Sequence, residues 1–402
     1  MSDRSSIARR ALRTALTGTA LIAGLFVSSA WAQNTSPVLF TFSTVGDSRQ
    51  DPVTFDKASV GTTLSGQDAT WLQNSKALAR ILRTIQAQKS SMLFFNGDMI
   101  HGYGKASFGY TTSLDSTSFT TTAPASVADI VNSDILKFYK QYAFWRGFIA
   151  PVMEAGTYVF PVPGNHETQC KTCGKKAQVE NENAWAANMG DLVFDAARFT
   201  SILGSPAQNV AYGPAAGSSL DGLTTDQSKL SYSFDFKGMH FAVINTDPVG
   251  KDSRAPTQWL AADLAAAKAR GAKKSFVFGH KMAYTYVYVA SPATPAGGLD
   301  VSVADRDAFW NVIESNNATY FAGHEHIFNI SQPRGSAYQV LVGAGGSPFD
   351  AKVTDVTVNP ATDREYSWAT VRVHQDGGVD ILAYGFDAQF GATQLIKQIY
   401  LP

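Results

Sequence analysis

Five short blocks in this chain of 402 residues begin where an apolar run stops, and each sets a glycine ahead of a metal-binding side chain. They are GDSR at 46–49, GDMIH at 97–101, GNHE at 164–167, Gly279-His280, and GHEH at 323–326. The chain holds only seven histidines, and five of them (His101, His166, His280, His324 and His326) lie in these blocks. Glycine permits a sharp turn at a strand end, which aims the next side chain out of a sheet toward a shared crevice. Carboxylate, amide and imidazole groups gathered in that way suit a pair of hard-to-borderline metal ions. A single GD or GNH is common by chance. The set of five, each at a strand end, points to metal-dependent hydrolysis.

The runs that lead into the blocks read as strands: 38–45, 92–95, 158–162, 275–278 and 319–322, with further β-rich runs at 232–236, 241–245, 338–342, 366–373 and 379–384. Several are apolar throughout, as strands covered on both faces should be. Helical periodicity lies between them. Residues 69–86 place Trp71, Leu72, Leu78, Ile81, Leu82 and Ile85 on one face, and similar patterns occupy 127–149, 256–270 and 303–316. Strands alternating with helices, then a strand-rich end, predict a layered α/β fold. No repeat and no proline- or charge-rich linker divides residues 33–402, so one domain is expected, with loop insertions near 103–124, 168–229 and 284–299.

Hydrophobic residues at 45% and charged residues at 16% describe a globular chain with a sizeable core. A formal net charge of zero gives no sign of a nucleic-acid-binding surface or a polybasic membrane patch. Residues 1–32 read as a signal peptide: Arg4, Arg9, Arg10 and Arg13, an apolar stretch over about 15–30, then Ala30-Trp31-Ala32 as the cleavage pattern. The apolar stretch is short for a membrane span, an uncleaved anchor being the alternative. A periplasmic or secreted protein is expected, exported by the Sec route or, given Arg9-Arg10, the twin-arginine route, although Arg13 interrupts the latter pattern. Cys170 and Cys173, the only cysteines, are expected to form a local disulfide in an exported protein; a redox motif or half a zinc site are the alternatives.

The blocks, from about Phe40 to His326, resemble those of the calcineurin-like metallophosphoesterase superfamily, and more narrowly its purple-acid-phosphatase-like branch. The resemblance implies a four-layer αββα sandwich of two mixed β-sheets with two metal ions between the sheet ends. It implies that Asp98 bridges the ions, that Asn165, His280 and His324 complete one site, and that Asp47 and His326 serve the other. A shared carboxylate offsets the repulsion of cations about 3.5–4 Å apart, and a metal-activated hydroxide attacks phosphorus in line with the leaving oxygen. His166 falls outside the ligand pattern and is expected to protonate the leaving group or stabilise its charge.

Two positions depart from the family pattern. Many members carry histidine two residues after the first aspartate, where this chain has Arg49, and the acid-phosphatase branch carries tyrosine three residues after the bridging aspartate, where this chain has His101. His101 is therefore expected to fill the vacant coordination place and Arg49 to meet the substrate phosphate. The alternatives are a locally bonded loop histidine and an Arg49–Asp51 ion pair. Zn, Mn or Fe all suit this donor set.

Among the remaining groups, His240 reads as structural, His374 as solvent-exposed, Lys281 as a second cation on the rim, and Glu167 and Glu325 as supports for neighbouring ligands or as surface residues. GAGGS at 343–347 lacks a lysine and reads as a turn. The expected activity is hydrolysis of phosphate monoesters or diesters. The competing expectation is a phosphate-binding member of the same fold that lost activity with the Arg49 substitution. Oligomeric state has no signature in the sequence.

Overall fold

The computed structural model describes residues 34–52, 71–102, 104–107, 127–350 and 364–402. Its strands are β1 (Val38–Val45), β2 (Met92–Asn96), β3 (Tyr158–Val162), β4 (Gln169–Cys170), β5 (Lys176–Ala177), β6 (Gln208–Tyr212), β7 (Tyr232–Phe236), β8 (Met239–Val243), β9 (Lys274–Phe278), β10 (Ala318–Ala322), β11 (Phe328–Ser331), β12 (Gln339–Val342), β13 (Tyr366–His374), β14 (Val379–Phe386) and β15 (Gln394–Leu401). Its helices are α1 (Trp71–Ala87), α2 (Val127–Val131), α3 (Asp134–Glu154), α4 (Asn165–Thr168), α5 (Val179–Met189), α6 (Ala196–Leu203), α7 (Thr257–Ala269) and α8 (Val303–Ser315).

Two large mixed sheets carry the fold, one in the order β15-β14-β13-β1-β2-β3 and the other in the order β11-β12-β10-β9-β8-β7-β6. In the first, β1, β2 and β3 are parallel neighbours; in the second, β8, β9, β10 and β12 are. Successive side chains of a strand point to opposite faces, and that alternation sorts the core into three layers. Phe42, Phe94 and Phe160 of the first sheet meet Phe241, Phe276, Phe278 and Phe321 of the second between the sheets. Leu93, Phe95 and Val159 face outward onto Leu78, Ile81 and Ile85 of α1 and Phe138 and Trp145 of α3. Val277, Tyr320 and Leu341 face the other way, onto Leu260 and Leu264 of α7 and Phe309 and Trp310 of α8. The layers are therefore α, β, β and α, and strands covered on both sides must be apolar throughout.

One contact between the sheets bears on the site. The rings of Phe94 on β2 and Phe278 on β9 stack with centroids 3.8 Å apart. Each lies close before a strand end, so this pair keys the two ends to one another.

Helical patterning at 127–149 resolves into α2 and the longer α3, which runs through Pro151 to Glu154. Residues 168–229 are not a plain loop: they contain the β4–β5 hairpin, α5, α6 and β6, with Trp185 and Phe199 buried in the core. Most of the stretch expected as a loop at 103–124 lies outside the described residues, as does the expected signal peptide. Asn34–Pro402 forms one compact unit. No helix among the described residues is long and apolar enough to cross a membrane.

Candidate metal centre

All the glycine-led blocks sit at the carboxyl ends of parallel strands. Asp47 follows β1, Asp98 follows β2, Asn165 and His166 open α4 just beyond β3, His280 follows β9, and His324 and His326 follow β10. Ligands collect at such ends in α/β sheets. The turning itself differs from the expectation that glycine does it. Of the five block glycines only Gly97 has a left-handed φ, of 79°, whereas Asp47 (63°), Arg49 (42°), Asp98 (51°) and His324 (72°) adopt that region themselves. The conformation costs an L-residue roughly 1–3 kcal/mol and persists only where the surroundings enforce it. Crowding explains the other glycines. A Cβ on Gly323 would collide with the Asp47 carboxylate, and one on Gly164 with the Asp98 backbone nitrogen.

The convergence yields two groups of donors that share Asp98. Donor atoms of Asp98, His280 and His324 lie within 4.8 Å of one another, as do those of Asp47, Asp98 and His326. In the first group Asp98 Oδ1 is 3.1 Å from His280 Nε2. Asn165 Oδ1 joins it, 2.9 Å from both His280 Nε2 and His324 Nδ1. In the second, Asp47 Oδ1 is 3.6 Å from His326 Nε2. Ring orientation is set from behind: His280 Nδ1 donates to the Asn96 carbonyl at 2.8 Å and His326 Nδ1 to that of Pro348, which turns both Nε2 atoms into the site.

Metal ions fit this set. Asp47 Oδ1, Asp98 Oδ2 and His326 Nε2 are buried without a hydrogen-bond partner, although buried polar atoms are nearly always paired. Burial pushes the Asp47 carboxyl well above the usual carboxylate range. Asp98 feels the same burial, yet His166 and His280 hold it well below that range. Burial lowers His326 to about 4, with the Arg49 charge adding to the effect. For His280 burial is outweighed by Asp98 and Asp47, which raise it to about 9. Dehydrated carboxylates beside imidazoles aimed at one point are what a bound cation stabilises.

Around the donors, His166 donates its Nδ1–H to the His101 carbonyl, and its Nε2 lies 3.5 Å from Asp98 Oδ2. Arg49 enters from the first block, its Nε 3.7 Å from Asp98 Oδ2. The His101 ring is exposed and belongs to neither donor group. Lys281, expected on the rim, is instead buried in an ion pair with Asp247 at 2.7 Å, supported by Ser253 Oγ at 2.8 Å. His374 is likewise not exposed: it is buried between the Ser36 carbonyl and Asp380.

Three supports complete the site, and in the first two Glu167 and Glu325 are buried and hold neighbouring segments, as expected of supports and not of surface residues. The Glu167 carboxylate accepts from the backbone nitrogens of Asp98 (2.9 Å), Met99 (2.8 Å), Ile100 (3.2 Å) and Gly164 (2.8 Å), tying the second block to the third. Glu325 does the same for the 284–299 loop, accepting from the nitrogens of Tyr286, Val287 and Tyr288, and the Tyr288 ring lies edge-on to His324 at 5.7 Å. The 343–347 turn forms a wall, with Gly345 N bonded to Gly46 O and Ser347 N to Asp47 O. The GNHE and GHEH spacings put Glu167 beside His166 and Glu325 between the donors His324 and His326, and that adjacency is the sequence signal these two supports leave.

An αββα sandwich with a two-group donor cluster sharing one aspartate defines a dinuclear-metal phosphoesterase architecture. A family model described as calcineurin-like phosphoesterase matches residues 71–328, well over half of the chain, and the chain belongs to that family. Asp47 precedes the matched span, so its place in the site rests on the geometry. No curated protein matches the sequence. Among solved structures, a purple acid phosphatase from yellow lupin (Lupinus luteus) seeds is similar with a TM-score of 0.52 at 12% identity, covering 91% of this chain and 54% of that one. The chain thus spans about half the length of the lupin protein. A dimetal phosphatase from Danio rerio is similar with a TM-score of 0.48 at 12% identity, covering 90% of this chain and 99% of that one.

Proposed function

We propose that this chain is an exported hydrolase of phosphate esters that works with two metal ions, of Zn, Mn or Fe. The observation that carries the reading is the meeting of Asp47, Asp98, Asn165, His280, His324 and His326 around buried donor atoms that lack partners. Two bound cations would supply a strong nucleophile at neutral pH and neutralise the phosphoryl oxygens. Asp98 would serve both ions, Asn165, His280 and His324 one of them, and Asp47 and His326 the other, and a turn of the exposed His101 ring would bring an added ligand to the second site. Arg49 would hold a phosphoryl oxygen. Export is supported by the leader-like residues 1–32 and by a disulfide between Cys170 and Cys173.

Purified protein is expected to carry about two metal equivalents and to hydrolyse 4-nitrophenyl phosphate, its bis-aryl diester, or both. Metal-free, inert protein would instead favour the phosphate-binding alternative. Because histidine stands where the acid-phosphatase branch has tyrosine, iron-loaded protein is expected to show no strong visible charge-transfer band, and an intense purple colour would contradict the ligand assignment.

The His101 carbonyl fixes the His166 ring with Nε2 turned inward, so the doubly protonated ring, whose charge burial disfavours and Asp98 favours, would hand its Nε2 proton to the leaving oxygen. His166→Ala is expected to lower kcat about a hundredfold while metal content stays the same. The loss should shrink for a substrate whose leaving group needs no proton, such as a dinitrophenyl ester. An equal loss on both esters would remove the proton-donor role.

A further inference from the structure

The β4–β5 hairpin follows directly on α4, and its tip is closed by the Cys170–Cys173 disulfide with Lys171 inside the ring. The base of the hairpin is tied down independently. Gln169 Nε2 bonds Asp247 Oδ1 at 3.1 Å and Asp252 Oδ1 at 3.0 Å, and Ala177 N bonds Asp252 Oδ1 at 2.8 Å. Asp247 is the partner of Lys281, the neighbour of the ligand His280. Bonds at the base and a covalent ring at the tip leave Lys171 little freedom to swing away.

Lys171 is half-buried and stands six residues after Asn165 and five after His166, on a hairpin whose base reaches Asp247 beside the His280 block. It forms no ion pair or hydrogen bond among the described residues, in contrast to Lys281. A half-buried ammonium without a counter-ion, carried on the segment that follows Asn165 and His166, lacks the anion that would balance it.

We infer that Lys171, held by the disulfide-closed hairpin tip, is a binding residue for the second negative charge of a phosphate monoester, and so sets a preference for monoesters over diesters. The inference rests on the phosphoesterase reading and deepens it. A diester phosphate has one negative charge and an esterified oxygen where a monoester dianion offers a second anionic oxygen. An ammonium at that oxygen favours the monoester.

The test compares metal-loaded full-length protein with Lys171→Met and Lys171→Arg, using 4-nitrophenyl phosphate and bis(4-nitrophenyl) phosphate. Lys171→Met is expected to raise the monoester KM about tenfold with a much smaller change in kcat, so that the monoester-to-diester ratio of kcat/KM falls about tenfold. Inorganic phosphate should bind correspondingly less tightly by calorimetry, Lys171→Arg should recover most of the ratio, and metal content should be unchanged. An unchanged monoester KM, or an equal loss on both esters, overturns the inference. If the wild type hydrolyses neither ester, the phosphoesterase reading fails by itself, and phosphate titrations of the wild type and Lys171→Met still decide Lys171: equal affinity overturns it. The double variant C170S/C173S, which opens the ring, should shift the ratio in the same direction, and an unaltered ratio overturns the role given to the ring.

Discussion

Asp98→Asn is expected to abolish measurable turnover, a loss on the order of a thousandfold or more, and to strip metal from both sites instead of one. Asp98 belongs to both donor groups, whereas Asp47 and His324 belong to one each. Asparagine preserves the shape and can still accept the bond from His166 N, at 2.9 Å in the native protein. The fold should therefore survive, and the change isolates the charge. Without that carboxylate, two cations about 3.5–4 Å apart repel one another with less to offset them. Metal analysis beside a thermal melt provides the check. A variant that melts like the wild type, retains two metal equivalents and stays active would show that Asp98 does not bridge. His324→Ala offers the contrast, since it should empty one site and leave the other loaded.

The second large effect lies away from the site. His240→Gln is expected to destabilise the protein by about 3 kcal/mol near pH 6. His240 is wholly buried on β8, with Nδ1 2.6 Å from Asp235 Oδ1 and Nε2 3.0 Å from Asp263 Oδ2. Burial disfavours its charge, but Asp263 and Asp235 outweigh burial and raise its pKa above the ordinary 6.5. Arg270 at 2.8 Å from Asp235 and Ser233 at 2.8 Å from Asp263 complete the network, which fastens α7 to the outer face of β7 and β8. A raised folded-state pKa means that the native protein binds the proton more tightly than the unfolded chain does. The stabilisation is complete below about pH 6.5, the unfolded value, and is lost as pH rises through the higher folded value. The stability gap between wild type and variant should thus be widest near pH 6 and narrow toward pH 9. Denaturant titrations at those two pH values measure it, and a gap independent of pH would mean that the network does not carry a protonated imidazole.

Chemistry-bearing residues were the easiest part to read, because aspartate, asparagine and histidine after apolar runs have few other uses. Strands β1, β3 and β7 start and stop where hydrophobic patterning ends. β8 begins two residues earlier than its pattern suggests, because Lys237 (φ 48°) and Gly238 (φ 79°) turn the chain straight back from β7. β15 left almost no signal. It is an edge strand, and Gln394, Lys397 and Gln398 break its apolar run as an exposed edge requires. β11 is four residues long and adjoins GHEH, too short for periodicity to show. Alternation along a strand says which residues share a face, not which face is covered, so His374 is buried where its pattern predicts exposure. Lys171 and the contacts of the 343–347 turn depend on where loops fold back, which local patterning does not carry, whereas Glu167 and Glu325 are marked by their places in GNHE and GHEH.

The left-handed turns at Asp47, Asp98 and His324 bear on how the centre comes to be loaded. Backbone bonds impose these conformations: Asp47 N to Gly97 O and Arg49 N to Asp98 O, both at 2.9 Å. These bonds run between backbone groups and include no metal-binding atom, so chelated protein is expected to keep a cooperative thermal melt and to regain activity on reloading. Glycine at any of the three would ease the backbone and leave a sturdier protein with one hand missing from the grip.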